Sequence, residues 1–158
     1  MSAKPVPDGY HTITPFMTVR DAARAIEFYK QAFGAVEKGT MKGPDGKVMH
    51  SELRIGDSIF MLGDEFPEFG SLSPQSTGGT GMGLHIYTED VDSAFDRAIK
   101  AGGVVEMPVM DMFWGDRYGK LIDPFGHKWS IATHKRDVSM EEMKAAQEEF
   151  MSRMPKSA

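Results

Sequence analysis

A spacing of 69 residues governs this sequence. Set against itself at that offset, the chain places Asp90 on Asp21, Ala94 on Ala25, Phe95 on Ile26 and Gly103 on Gly34. Such a repeat restricts the fold to two related modules and directs attention to the place where they meet. Local signals inside each repeat agree. Residues 12–19 are rich in β-branched side chains and read as a strand, with Pro15 tolerated on an edge. Asp21 then caps a helix whose Ala22, Ala25, Ile26, Tyr29 and Phe33 share one face, and Gly34 ends it. Turn signals at Gly43-Pro44-Asp45-Gly46 and Gly56-Asp57 separate three further strands near 36–41, 47–55 and 58–62.

The second repeat follows the same order. A strand at 82–88 precedes a helix from Asp90 with Val91, Ala94, Phe95, Ala98 and Ile99 on one face, stopped at Gly102-Gly103. Strands near 104–109, 117–122 and 128–133 follow, the last two joined by the tight turn Asp123-Pro124-Phe125-Gly126. The predicted class is α+β: two tandem βαβββ modules, residues 11–63 and 82–135. Residues 1–10 read as an N-terminal arm, and 64–81 as a Gly/Ser-rich linker with a few anchoring aromatics. Residues 136–158 form a C-terminal helical extension that opens on the capping box Ser139-Met140-Glu141-Glu142. Its Met143, Phe150 and Met154 pack either within the chain or on a partner.

Composition removes several functional classes. With no cysteine, disulfides, thiolate metal sites and cysteine nucleophiles are excluded. A net charge of −5 with dispersed Lys and Arg argues against nucleic acid as a partner. No apolar run approaches the ~20 residues of a membrane span, and the N-terminus lacks a signal peptide's apolar core, so the expected location is cytoplasmic, without a membrane partner. There is no phosphate loop, G-x-S-x-G, H-E-x-x-H or dinucleotide fingerprint, and Gly78-Gly79-Thr80-Gly81 reads as flexible linker.

The phrases TVRDAARAIEFYKQAFGA, MHSELRIGDSIFMLGDE, LHIYTEDVDSAF and WGDRYGKLIDPFGHKWSIATH give residues 11–135 a family resemblance. The chain resembles the vicinal oxygen chelate superfamily, which includes glyoxalase I, bleomycin-resistance proteins and extradiol dioxygenases, and within it the PhnB-like branch. The resemblance implies two four-stranded sheets curling around a cavity, helices on their convex faces, and a homodimer. In the superfamily's enzymes, His and Glu side chains from four strand positions hold a divalent metal. Carried over one at a time, those positions fall on Thr14, Gly83, Met61 and Ser130. None is a standard ligand, and a divalent ion needs three or four converging donors, so no cofactor is expected.

Two groups of residues carry the candidate site. His85 lies two residues past Gly83, on the same face of its strand, with Phe16 as its counterpart in the first module. It is either a buried imidazole bonded within the fold, or a general base or hydrogen-bond donor toward a ligand. A metal site relocated around it would need His50, Glu52 or water. In the loop 110–118, Phe113 and Trp114 would wall an apolar pocket while Arg117 pairs with an anionic group of the ligand. The alternative is that Arg117 bridges to Asp116 or Asp123 and that Trp114 is a core or dimer contact. Met41, Met49, Met61, Met82 and Met112 offer an adaptable lining. Trp129 neighbours Ser130 and faces the helices, and His127 and His134 have solvated or capping roles at a turn and a strand end.

The expected binding set is therefore Thr14, Phe16, Met61, His85, Trp114, Arg117, Tyr118 and Ser130, with His85 the best catalytic candidate. The expected function is binding of a small, partly apolar molecule without the superfamily's metal. The alternatives are a metal-dependent lyase or dioxygenase built around His85, and a non-catalytic dimeric scaffold.

Overall fold

Strand β1 (Phe16–Val19) enters helix α1 (Ala22–Phe33) through Asp21, whose carboxylate accepts the Arg24 N–H at 3.1 Å. In this computed structural model, which describes residues 3–155, the helix ends at Gly34, whose φ of 66° suits a residue without a Cβ. Strands β2 (Val36–Lys42), β3 (Val48–Ile55) and β4 (Ser58–Asp64) complete the first module. Its sheet runs β1-β4-β3-β2, with β1 parallel to β4 and the other pairs antiparallel. Residues 1–2 of the arm and 156–158 of the C-terminal extension lie outside the described residues.

The linker holds more structure than its composition suggests. A 3-10 turn (Pro67–Phe69) and a single helical turn, α2 (Pro74–Thr77), are tied down by Glu65. Its carboxylate accepts the Ser73 backbone N–H at 2.9 Å, the Ser76 hydroxyl at 2.7 Å and Arg20 at 3.2 Å. Those donors, the Ser73 backbone first, lower its pKa to about 2. The anchoring thus comes mostly from hydrogen bonds to one carboxylate: Phe66 lies under Lys47, but Phe69 is exposed.

The second module repeats the first as β5 (Gly83–Tyr87), α3 (Val91–Ala101), β6 (Val104–Asp111), β7 (Asp116–Ile122) and β8 (Lys128–His134). The sheet order β5-β8-β7-β6 matches, again with its first pair parallel. Helix α4 (Met140–Arg153) follows, opened by the Ser139–Glu142 capping box. The first strand is shorter than predicted because Pro15 has no N–H to extend the ladder, although its carbonyl still accepts Met61 N–H at 2.8 Å.

Period-two alternation separates two faces on each sheet. Met17, Val19, Leu53, Phe60 and Leu62 of the first sheet, and Leu121, Trp129 and Ile131 of the second, are buried on the helix side. Helix α1 packs against α3, so one core serves both modules. Burying side chains of this size stabilises by about 1.5–3 kcal/mol each. At the centre, Tyr29 and Phe33 of the first module meet Trp129 of the second, with ring centroids 5.4 and 4.5 Å apart. Asp123, buried, receives the Tyr29 hydroxyl at 2.6 Å and the Trp129 indole N–H at 2.9 Å. His127 is also buried and bonds the Thr18 carbonyl at 2.9 Å, a tie between modules where a solvated or capping role was expected.

The eight strands form two four-stranded mixed sheets, one for each module. No strand pairing joins the sheets among the described residues, and the outer faces, away from the helices, are left open within one chain. Half-exposed Phe16, and exposed Met41, Tyr87 and Met110, stand there or at the rims.

Candidate functional site

Strand register assembles the site. Across β5, β8 and β7, His85 pairs with Ser130 and Ser130 with Lys120, so the three form one row on the outer face of the second sheet. Tyr87, Ala132 and Tyr118 form the next row, and His134 faces Asp116 beyond it. Ala132 has almost no side chain, which leaves a shallow floor between two tyrosines.

Aromatic rings wall this face. His85 lies 4.6 Å from Tyr87 edge-on and 5.8 Å from Tyr118 nearly parallel, and Trp114 lies 5.6 Å from Tyr118 edge-on. The series continues through Phe113, 5.1 Å from Trp114, to Phe150 of α4 at 5.5 Å. Beneath the rings is the buried carboxylate of Asp116, which accepts Trp114 Nε1–H at 3.2 Å, Tyr87 O–H at 3.3 Å and His134 Nδ1–H at 2.7 Å. One buried carboxylate therefore orients two of the wall rings.

The two imidazoles on this face have opposite electrostatics. His85 Nδ1 is 2.7 Å from Ser130 Oγ, and burial lowers its pKa against a smaller opposing pull from Asp116. It is therefore a neutral group near pH 7, suited to accept a proton or a hydrogen bond. His134 is held by Asp116 first and then by Asp137 at 3.0 Å, and its pKa is raised. A titration of the ring Cε1–H resonances is expected to place His134 above and His85 below the ordinary value near 6.5. His134 contributes to stability below that ordinary value, and the contribution is lost as pH rises through its folded-state pKa. Midpoints in the reverse order would contradict the geometry of both rings.

Of the residues singled out from the sequence, the structure brings together His85, Ser130, Tyr118 and Trp114. Phe16 and Met61 pair with each other on the outer face of the first sheet, beside His50 and Glu52. There His50 Nε2 is 3.3 Å from Glu52, and a hydrogen bond to Glu52 pushes the Tyr10 phenol up to about 12. Thr14 lies ahead of β1 with its hydroxyl bonded to the His11 carbonyl at 3.2 Å. No hydrogen bond, ion pair or ring contact joins the two outer-face clusters among the described residues.

Arg117 is placed elsewhere. As the neighbour of Tyr118 on β7 it points to the helix side, where its guanidinium pairs with Asp92 at 2.7 and 2.8 Å and with Asp111 at 3.2 Å. Its partners are not the Asp116 or Asp123 weighed from the sequence, and it does not share the face with His85. Tyr87 and Lys120 carry no signal singled out in the sequence, while Asp116 stands there only as a possible partner of Arg117 and His134 only in a solvated or capping role. Counting by two from His85 and from Tyr118 reaches the first three.

The donor set does not fit a divalent ion. The inherited positions present a hydroxyl at Thr14, no side chain at Gly83, a thioether at Met61 and a hydroxyl at Ser130. Among the described residues, no three His, Asp or Glu side chains converge in a way that would hold a metal. A cleft of about 540 Å³ adjoins the site where β5 meets the segment before β1 and the turn between β3 and β4. Ile13, Pro15, Ile59 and Leu84 line it together with His85 and Tyr87, but it does not reach Ser130, Tyr118 or Trp114. The hydrogen-bonded His85–Ser130 pair lies on the open face, and this cleft adjoins it along β5.

Comparison with known proteins gives concordant matches. Residues 10–131 match the family model of the Glyoxalase/Bleomycin resistance protein/Dioxygenase superfamily. An uncharacterized protein of Mycobacterium bovis is 47% identical over 137 residues, which span 85% of this chain and 90% of that protein. The crystal structure of an Arabidopsis thaliana gene product aligns with a TM-score of 0.63 at 30% identity, covering 78% of this chain and 98% of its own. A PhnB protein from Bacillus cereus aligns with a TM-score of 0.61 at 21% identity, covering 78% and 99%, which is a likeness of fold alone.

Proposed function

The chain belongs to the Glyoxalase/Bleomycin resistance protein/Dioxygenase superfamily, and from that membership we propose that it binds a small, partly apolar molecule on the outer face of its second sheet. The reading rests on one observation: a hydrogen-bonded His85–Ser130 pair set among the rings of Tyr87, Tyr118 and Trp114 on a face that the chain leaves uncovered. A ligand there would lay its apolar part on the tyrosines over Ala132 and present a polar group to His85 Nε2 and Ser130. Neutral His85 serves as hydrogen-bond partner or general base, and no step requires a metal.

A second copy of the chain is the proposed cover. Exposed Phe16, Met41, Tyr87 and Met110 form more apolar surface than a solvated sheet face requires, and closing it would turn an open face into an enclosed cavity. The fluorescent apolar anion anilinonaphthalene sulfonate tests both points. Tyr118→Ala and His85→Ala are each expected to weaken its binding about tenfold, since a lost aromatic wall is worth about 0.5–1.5 kcal/mol beyond its area. Light scattering on the same samples is expected to give the mass of two chains. Probe affinity unchanged in both variants would remove the assignment of this face, and a single-chain mass would remove the cover.

A further inference from the structure

The outer face of the second sheet carries four basic side chains, and three are already committed. Lys128 pairs with Glu106 at 3.2 Å, His134 lies between Asp116 and Asp137, and His85 is bonded to Ser130. Lys120 has no acidic side chain within ion-pair distance among the described residues, yet register sets it directly beside Ser130 in the row that contains His85. Arg117, the nearest alternative cation along the strand, is turned to the opposite face and engaged by two aspartates.

The duplicated fold supplies an internal comparison. Lys120 pairs with Ser130 as Glu52 pairs with Met61 on the first sheet, so the two occupy equivalent positions. Glu52 is paired with His50, whereas Lys120 stands uncompensated beside the His85–Ser130 pair, which uses one hydrogen in its own bond and keeps one, on His85 Nε2 or Ser130 Oγ, to donate to an anion. The two faces thus differ in sign at the same place. We infer that the ligand carries an anionic group, a carboxylate or comparable oxyanion, held by Lys120 with Ser130 and His85, while its apolar body rests on Tyr87 and Tyr118. This rests on the face proposed above and adds the ligand's charge class and the residue that reads it.

The test compares anilinonaphthalene sulfonate with its uncharged relative N-phenylnaphthylamine on the full chain. The native protein is expected to prefer the anion, and raised ionic strength is expected to erode that preference. Lys120→Gln is expected to weaken sulfonate binding about five- to tenfold and leave the uncharged probe within about twofold, whereas Lys120→Arg retains the preference. Tyr118→Ala weakens both probes.

An unchanged preference in Lys120→Gln, with both probes still weakened by Tyr118→Ala, would overturn the anion assignment and leave the face standing. Insensitivity of both probes to Tyr118→Ala would overturn the face and the anion assignment together. A fall in assembly mass in Lys120→Gln would assign the lysine to contact between copies and overturn its role in recognition.

Discussion

Replacing Asp123 by alanine is expected to lower the unfolding free energy by about 3–5 kcal/mol, the range for removing one partner of a buried, fully bonded charge. Asp123 is only 3% exposed and accepts four donors: the Tyr29 hydroxyl, the Trp129 indole and the backbone N–H groups of Phe125 and His127. The first comes from one module, and the other three organise the hairpin of the other. Alanine leaves two buried side-chain donors without a partner and frees the turn between β7 and β8. For a chain of this length the loss corresponds to a fall in Tm on the order of 10 °C. Tyr29→Phe removes one donor and is expected to cost about 1–2 kcal/mol. Denaturant unfolding of both variants checks the gradient, and a loss below about 1 kcal/mol in Asp123→Ala would contradict the view that this carboxylate joins the modules.

Gly115→Ala is expected to cost about 3 kcal/mol and also to weaken probe binding about tenfold. Gly115 has φ 101°, and a Cβ there would stand 2.1 Å from the Arg136 carbonyl oxygen, a backbone atom with little freedom to yield. Its own carbonyl accepts the N–H groups of Lys135 at 2.9 Å and Arg136 at 3.2 Å, which fasten the end of β8 under the loop. Opening that fastening carries the neighbouring Trp114 away from Asp116 and removes one ring from the site. Intrinsic fluorescence separates this from general loosening: of the two tryptophans, Trp114 is partly exposed and Trp129 buried. Emission is expected to shift to the red in folded Gly115→Ala. Unaltered emission with full probe affinity would show that the loop does not position Trp114.

Much of the fold was legible because its signals are local and occur twice. The Asp21 and Asp90 caps, the glycine stops and the striped helices need only a few neighbouring residues to be read. The candidate site was legible where the same alternation was applied consistently. Counting by two put Trp129 on the helix side and His85 on the open side. Counting from Tyr118 also puts Arg117 on the helix side, so a loop in which both reach one ligand conflicts with the strand that contains them.

What the sequence did not reveal depends on register between distant segments. Asp116 and His134 become partners only because β7 and β8 align them, and Lys120 joins His85 only through Ser130 between them. His127 gains its inter-module role from the Thr18 carbonyl, 109 residues away along the chain. The order in the linker comes from Glu65 reaching Ser73 and Ser76, a tertiary contact that composition does not encode.

The crystal structure of the full chain with anilinonaphthalene sulfonate tests the proposed ligand face most directly. The ring system is expected against Tyr87 and Tyr118 over Ala132, with the sulfonate toward Lys120, Ser130 and His85. A probe bound on the first sheet's outer face, along the helices, or in the inter-module cleft out of reach of Ser130 and Tyr118 would contradict it.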